Sequence, residues 1–264
     1  MIRWWRPVAL MLFAGLPACR DGAIGSVDGG ETDGERLYDA LPPLDGATAG
    51  YALSFDGADD YATAANGGFM PVGYAFTIEV WVDFPSATAD QDFIVLRTDL
   101  DSGVRVGTHA GNIAVRRVYV DRVIAEAPSL PTLNRWHHVA YTFDLTTNRL
   151  YVDGTEVDAQ AVPTDTRTPT SAWLGSIDGS NNLYRGLMDE VRVWTVTRTA
   201  ADIQADMHHR AAGSEPGLVA YWTFDDAQPG GLSGDASGSG NDVTLGDGFL
   251  ERMPARVPSD APAN

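Results

Sequence analysis

The chain has no lysine: all 18 of its basic side chains are arginines. It has one cysteine, Cys19, and five histidines. A single cysteine excludes a disulfide within the chain and any multi-cysteine zinc site. The bases face 36 acids, for a formal charge of −18. A surface so acidic repels nucleic acid and anionic membranes, which argues against both as partners. The sequence contains no Gly-x-Ser-x-Gly elbow for a serine nucleophile and no His-x-His pair for zinc. It also lacks an apolar run long enough to cross a bilayer.

What is present is β-strand chemistry. Residues 135–157 carry it most densely. Trp136 to Phe143 is rich in β-formers, Asp144 to Asn148 is turn material, and Arg149 to Val152 is a second strand. Asp153-Gly154 then reverses the chain, because a tight hairpin turn needs positive φ. Thr155 to Val157 begins the return, so the stretch predicts an antiparallel meander. Phe76 to Phe84 alternates strictly: Phe76, Ile78, Val80, Val82 and Phe84 share one face, and Thr77, Glu79, Trp81 and Asp83 the other. Further strands are expected at 51–55, 61–64, 93–97, 104–108, 112–115, 118–124, 172–176, 187–194 and 218–224. One helix is signalled, capped by Thr199 with Asp202 at the third helical position and with Ile203 and Met207 on one face. It ends near His208 to Arg210.

The first 19 residues read as a signal segment. Arg3 and Arg6 precede the short apolar run Val8 to Leu16, followed by Leu16-Pro17-Ala18-Cys19. That ending resembles a bacterial lipobox, which implies lipidation of Cys19 and a stable anchor through more than one acyl chain. A plain signal peptide cut after Ala18 is the alternative. Residues 20–50, rich in Gly, Asp, Ala, Pro and Thr, read as a flexible tether. The folded domain is expected over 51–250, with a disordered tail at 251–264.

Several motifs occur in a recognisable order. They are Leu53-Ser-Phe-Asp-Gly57, Phe76-Thr-Ile-Glu-Val-Trp81, Trp136-His-His-Val-Ala140, Leu150-Tyr-Val-Asp-Gly154, Gly186-Leu-Met-Asp-Glu-Val-Arg-Val-Trp194 and Leu218-Val-Ala-Tyr-Trp-Thr-Phe-Asp225. Together they resemble the laminin-G-like jelly-roll domains of the concanavalin A-like lectin/glucanase superfamily. The resemblance implies an all-β fold: a two-sheet antiparallel jelly-roll β-sandwich with one short helix. It also implies a structural Ca²⁺ held by Asp56, the Gly57 carbonyl and Asp189, with Asp59 and Asp60 close enough to assist. The alternative is that Asp56-Gly57 is only a turn.

Glucanases of this superfamily carry Glu-x-Asp-x-x-Glu on one strand, and this chain has no such run. Glu79 and Asp83 are too far apart for a catalytic pair, and Asp189 and Glu190 are expected on opposite faces of a strand. Glu79 reads instead as a cross-strand partner of Arg192. His137 and His138, adjacent on a strand, point apart. The loop Asp178-Gly-Ser-Asn-Asn-Leu-Tyr184 offers amides and a carboxylate beside an aromatic, so Asp178, Asn181, Asn182 and Tyr184 are the candidate ligand-binding residues. The polar loop Arg97 to Asp101 is a second place. Trp81, Trp136 and Trp194 read as strand core rather than sugar platforms.

The expected function is a non-catalytic binding or adhesion module on a bacterial envelope, taking a glycan or an extracellular protein. A degenerate or divergent glycoside hydrolase is the alternative, and a purely structural interaction domain a third reading.

Overall fold

The structure is a computed structural model that describes residues 50–64, 75–98, 102–161, 169–226 and 231–263. The signal segment with Cys19, the tether up to residue 49 and the Asn66-Gly67-Gly68 turn lie outside them. So do positions 99–101 of the second candidate loop.

The predicted meander forms as β8 (His137–Phe143), β9 (Asn148–Val152) and β10 (Thr155–Gln160). Asp153 and Gly154 take φ of 49° and 73°, both left-handed, so Thr155 pairs directly with Val152. At the other end the Asp144 carboxylate accepts from the amides of Thr146 and Thr147, which closes the β8–β9 turn.

These strands sit in the first of two antiparallel sheets, each with eight described strands. Its remaining members are β1 (Tyr51–Asp56), β3 (Phe76–Asp83), β12 (Arg185–Trp194), β13 (Leu218–Trp222) and β16 (Ala255–Pro258). The order is β10-β9-β8-β3-β12-β1-β16, with β13 also on β12. The second sheet holds β2 (Ala62–Ala64), β4 (Gln91–Arg97), β5 (Gly103–His109), β6 (Asn112–Arg117) and β7 (Val123–Glu126). It is completed by β11 (Ser171–Leu174), β14 (Leu232–Ser233) and β15 (Val243–Leu245), in the order β14-β15-β2-β11-β4-β5-β6-β7.

The core between the sheets takes the expected face of β3, where Phe76, Ile78, Val80, Val82 and Phe84 meet Ile94, Leu96, Val106 and Val115. Burying each such side chain contributes about 1.5–3 kcal/mol. The opposite face of β3 is buried too: Thr77 and Glu79 are fully enclosed and Trp81 nearly so. A second layer covers it. The helix α1 (Ala200–Asp206) starts with the predicted capping box between Thr199 and Asp202. Ile203 packs on Ala140 and Tyr151, while Met207 packs beside Trp81.

Under that layer lies a charge network. The Glu79 carboxylate is 3.3 Å from His138 Nε2 and 3.4 Å from Arg198 Nε. Burial would raise its pKa, but His138, Arg198 and Arg192 outweigh burial and hold it below the usual range. Arg192 stands opposite Glu79 in the ladder, as expected. Its guanidinium, however, bonds Glu190 at 2.7 Å and the carbonyls of Asp206 and His209.

Several expectations are corrected. Asp189 and Glu190 do not face apart. Met188 and Val191 both point into the core, so the pair between them turns outward. The cause is a β-bulge at which Glu190 takes φ of 52°. Residues 118–122 are a turn rather than a strand, with Asp121 at φ of 49°, and β7 begins only at Val123. α1 ends at Asp206, earlier than expected.

Residues 251–264 were expected to be disordered, yet Leu250–Arg252 form a 3-10 turn and β16 pairs with the open edge of β1. Main-chain pairing asks little of side chains, and Pro258 sits at the strand end where its missing N–H is not needed.

Glu79→Gln should therefore destabilise the domain by about 3–5 kcal/mol, because it leaves buried cations without their counter-charge. Glu156→Gln, on exposed β10, should stay within about 0.5 kcal/mol. Urea denaturation measures both. Because the Glu79 carboxyl is held low, its contribution is complete above about pH 4.3 and lost as pH falls through the lowered value. The gap between wild type and Glu79→Gln should close in acid.

Candidate functional site

The outer face of the second sheet carries a polar constellation. On β4, Asp92 lies opposite Gly107 of β5, which lies opposite Ala114 of β6. Further along, Arg105 faces Arg116. Two arginines side by side repel unless acids lie between them. Both guanidinium groups lie back over the sheet toward Asp92, at 3.3 and 3.4 Å, while Gly107 is required by the backbone, since a Cβ there would lie 1.9 Å from the Gln91 carbonyl oxygen.

Arg116 also reaches Asp90 at 2.7 Å and Asp121 at 3.2 Å, and Arg105 bonds Asp121. His109 Nδ1 is 2.8 Å from the Asp90 carboxylate. Burial grades this cluster. Asp92 and Arg116 are 0% and 1% exposed at their side chains, whereas Asp90 is 35% and Asp121 54% exposed. Burial pushes Asp92 up to about 6, although both arginines pull the other way.

Two further elements frame the cluster. The β6–β7 turn that supplies Asp121 presents Tyr119 at 79% and Val120 at 55% exposure. From the other side, Asn182 accepts the Asp92 amide on its carbonyl at 2.9 Å, and its side chain bonds the Asp92 carboxylate. The result is a rigid, charged floor with exposed acids and an exposed aromatic at its rim. Such a surface suits a ligand rich in hydroxyl groups, which needs fixed donors and acceptors and an apolar ring to lie on.

Of the predicted loop residues, only Asn182 joins this cluster. Asp178 is exposed, but its carboxylate accepts from Ser180 N, Asn181 N and Asn181 Nδ2 at 2.8–3.0 Å, closing its own turn. Tyr184 is no platform. Its ring is fully buried against Phe55 and Phe93, and its hydroxyl lies 2.9 Å from the Asp83 carbonyl. Arg97 extends over Trp173 and donates to the Ile177 carbonyl. His137 and His138 point apart, the first to Asp153 and the second to Glu79. Trp81 and Trp194 are buried, and Trp136 is half-buried just before β8.

The expected cation ligands also separate. Leu53 pairs with Met188 and Asp56 with Arg185, which sets Asp189 beside Ala52. Four strand positions then separate Asp56 from Asp189, about 14 Å at roughly 3.4 Å per residue. Instead Asp56, Asp59 and Asp60 converge, with ligand atoms within 4.8 Å of one another. Gly57 permits the tight turn, since its φ is 78° and a Cβ there would lie 2.9 Å from Arg185 Cβ. Burial and the neighbouring charges of Asp56 and Asp59 push Asp60 up to about 6. Asp189 is enclosed elsewhere, bonded to Ser259 and the Glu190 amide and pushed up to about 7 by burial.

A family model for the concanavalin A-like lectin/glucanases superfamily matches residues 56–204. Among solved structures, a candidate carbohydrate binding protein from Bacteroides ovatus superposes with a TM-score of 0.65 at 22% identity. The match covers 82% of this chain and 62% of that one, so the chain spans less than two thirds of that relative. A native heptameric SAP-like pentraxin from Limulus polyphemus superposes with a TM-score of 0.54 at 12% identity, covering 75% of this chain and 94% of that one. At these identities the likeness is one of fold. No curated protein sequence matches the chain.

Proposed function

The chain belongs to the concanavalin A-like lectin/glucanases superfamily, and from that premise we propose that it is a non-catalytic module that binds a glycan on the outer face of its second sheet. The ion-paired floor of Asp92, Arg105 and Arg116 beneath exposed Tyr119 carries this reading. The ligand would stack on Tyr119 and hydrogen-bond to Asp90, His109 and Asp121. The candidate carbohydrate binding protein from Bacteroides ovatus with the same fold supports the substrate class.

The hydrolase alternative is weaker. Asp92 has a raised carboxyl, as a general acid needs, but it is fully enclosed and cannot reach a glycosidic oxygen. Asp90 is held by Arg116 and His109.

On a glycan array the wild-type domain should give discrete hits. Tyr119→Ala should weaken those hits tenfold or more by calorimetry without a change in melting temperature, whereas Asp121→Ala should weaken them and also lower the melting temperature, because Arg105 and Arg116 lose a counter-charge. An empty array, or hits indifferent to both changes, would leave the protein-ligand reading standing. Product release from the bound glycan would favour the hydrolase.

For the cation, the donor set at Asp56, Asp59 and Asp60 fits a hard ion, and Ca²⁺ there would relieve the repulsion that adds to burial in raising the Asp60 carboxyl. Asp189 has no part in it. The melting temperature should fall in EDTA and recover with Ca²⁺, and Asp60→Asn should abolish that response. An EDTA-insensitive melt would reduce Asp56-Gly57 to a turn.

Display on a bacterial envelope through a lipidated Cys19 completes the proposal. Cells producing Cys19→Ser should lose acyl labelling of the protein and release it into the soluble fraction. Absence of labelling in the wild type would mean a plain signal peptide.

A further inference from the structure

The side chain of His137, at the start of β8, is 6% exposed, and an oxygen acceptor stands at each of its ring nitrogens. Nδ1 lies 2.8 Å from Asp153 Oδ2, and Nε2 lies 2.8 Å from the Thr132 carbonyl oxygen. A carboxylate and a carbonyl only accept, so both contacts are hydrogen bonds only when both nitrogens carry a proton. A neutral imidazole has one N–H and would set a lone pair against one of the two oxygens. This is the geometry of an imidazolium.

The two acceptors belong to different parts of the chain. Asp153 sits in the left-handed β9–β10 turn, where its other oxygen accepts from the His138 amide at 3.0 Å. The Gly154 carbonyl beside it accepts from Gln204 of α1. Thr132 lies in the crossover 127–136, which carries the chain from β7 of the second sheet to β8 of the first. In this crossover the Asn134 amide donates to the Phe84 carbonyl at 3.1 Å, and Leu130 and Leu133 are only partly buried against the core.

Charges reach the ring from several elements. Asp153 approaches from the turn, Asp83 from the end of β3 and Arg135 from the crossover itself. Asp260, which follows β16, faces Asp83. His138, next along β8, turns to Glu79 on the other side. The ring is thus a cation beside carboxylates, opposed by Arg135. Its bond to Asp153 raises it above the ordinary 6.5 although burial opposes this, and it outweighs burial in holding the Asp153 carboxyl low. When one proton leaves, the other stays toward the carboxylate, the stronger acceptor. Nε2 then turns a lone pair to the Thr132 carbonyl.

We propose that His137 is a proton-operated clasp: as an imidazolium it ties the crossover at Thr132 to the β9–β10 turn at Asp153, and loss of its proton frees the crossover while the turn stays bonded. Because the ring is raised in the folded state, the clasp is complete below 6.5 and is lost as pH rises through the raised value. This device lies apart from the glycan reading and stands without it.

The test uses the full chain with ¹⁵N-labelled histidine. At neutral pH both ring nitrogens of His137, identified by their loss in His137→Gln, should have the shifts of protonated nitrogens, and the ring should titrate above 6.5. Asp153→Asn keeps an acceptor for the His138 amide and should bring that titration down. Protection of the Asn134 amide against hydrogen exchange, corrected for the intrinsic rate, should fall about tenfold between about pH 6 and about pH 9, with the β8 amides unchanged. In Asp153→Asn that fall should come at lower pH, and in His137→Gln the protection should be low throughout. A ring with one N–H at neutral pH, or a titration at or below 6.5, would overturn the proposal. So would protection that falls equally along β8.

Discussion

A single buried negative charge organises the outer layer of the first sheet. Glu79 sits in the middle of β3 with no exposure at all. An isolated carboxylate there would be very costly, so the fold must bring cations to it. It does so from three places: His138 on the neighbouring strand, Arg192 across β12, and Arg198 just ahead of α1. Arg198 and Arg192 then bind α1 from two sides, through the Asp202 and Asp206 carbonyls and the Asp206 carboxylate. A helix of seven residues with one buried side chain would not persist alone. Here its place is dictated by the charge beneath it.

The sequence revealed those features that depend on local chemistry. Alternation in β3 announced its core face, Asp153-Gly154 announced a hairpin, and Thr199 with Asp202 announced the helix start. The features that stayed hidden depend on distant partners. The bulge at Glu190 reverses the facing of Asp189, and nothing in Met-Asp-Glu-Val marks a two-for-one register. β16 is only the four residues Ala-Arg-Val-Pro, too short to announce a strand; it is one because it pairs with β1. The Val118–Ile124 run looked β-rich, yet the turn there lets Asp121 reach Arg105 and Arg116.

The candidate site was illegible for the same reason. Asp92, Arg105 and Arg116 come from three strands, Asp90 from just before β4 and Asp121 from a turn, and each alone resembles a solvated surface charge. Gly107 was the available signal: a glycine in mid-strand marks a bulge or a close backbone approach, and here the Gln91 carbonyl presses on it beside the register shift at Asp92. Tyr184 misled in the opposite direction, because a tyrosine in a polar loop looks wet until Phe55 and Phe93 are seen against it.

The pairing of β16 with β1 has a mechanical consequence. Tyr51 stands opposite Pro258, and the Ser259 amide donates to the Gly50 carbonyl at 2.8 Å. The first and last strands of the sheet thus begin and end at one point. From that spot residues 260–263 run on over Trp81 on the outer face of the first sheet, so the two ends of the β1–β16 ladder share one corner of the domain. Tension applied across that point would load the β1–β16 ladder one rung at a time, like a zip, rather than shearing all rungs together. The contact that seals the fold is then also where a pull would first open it.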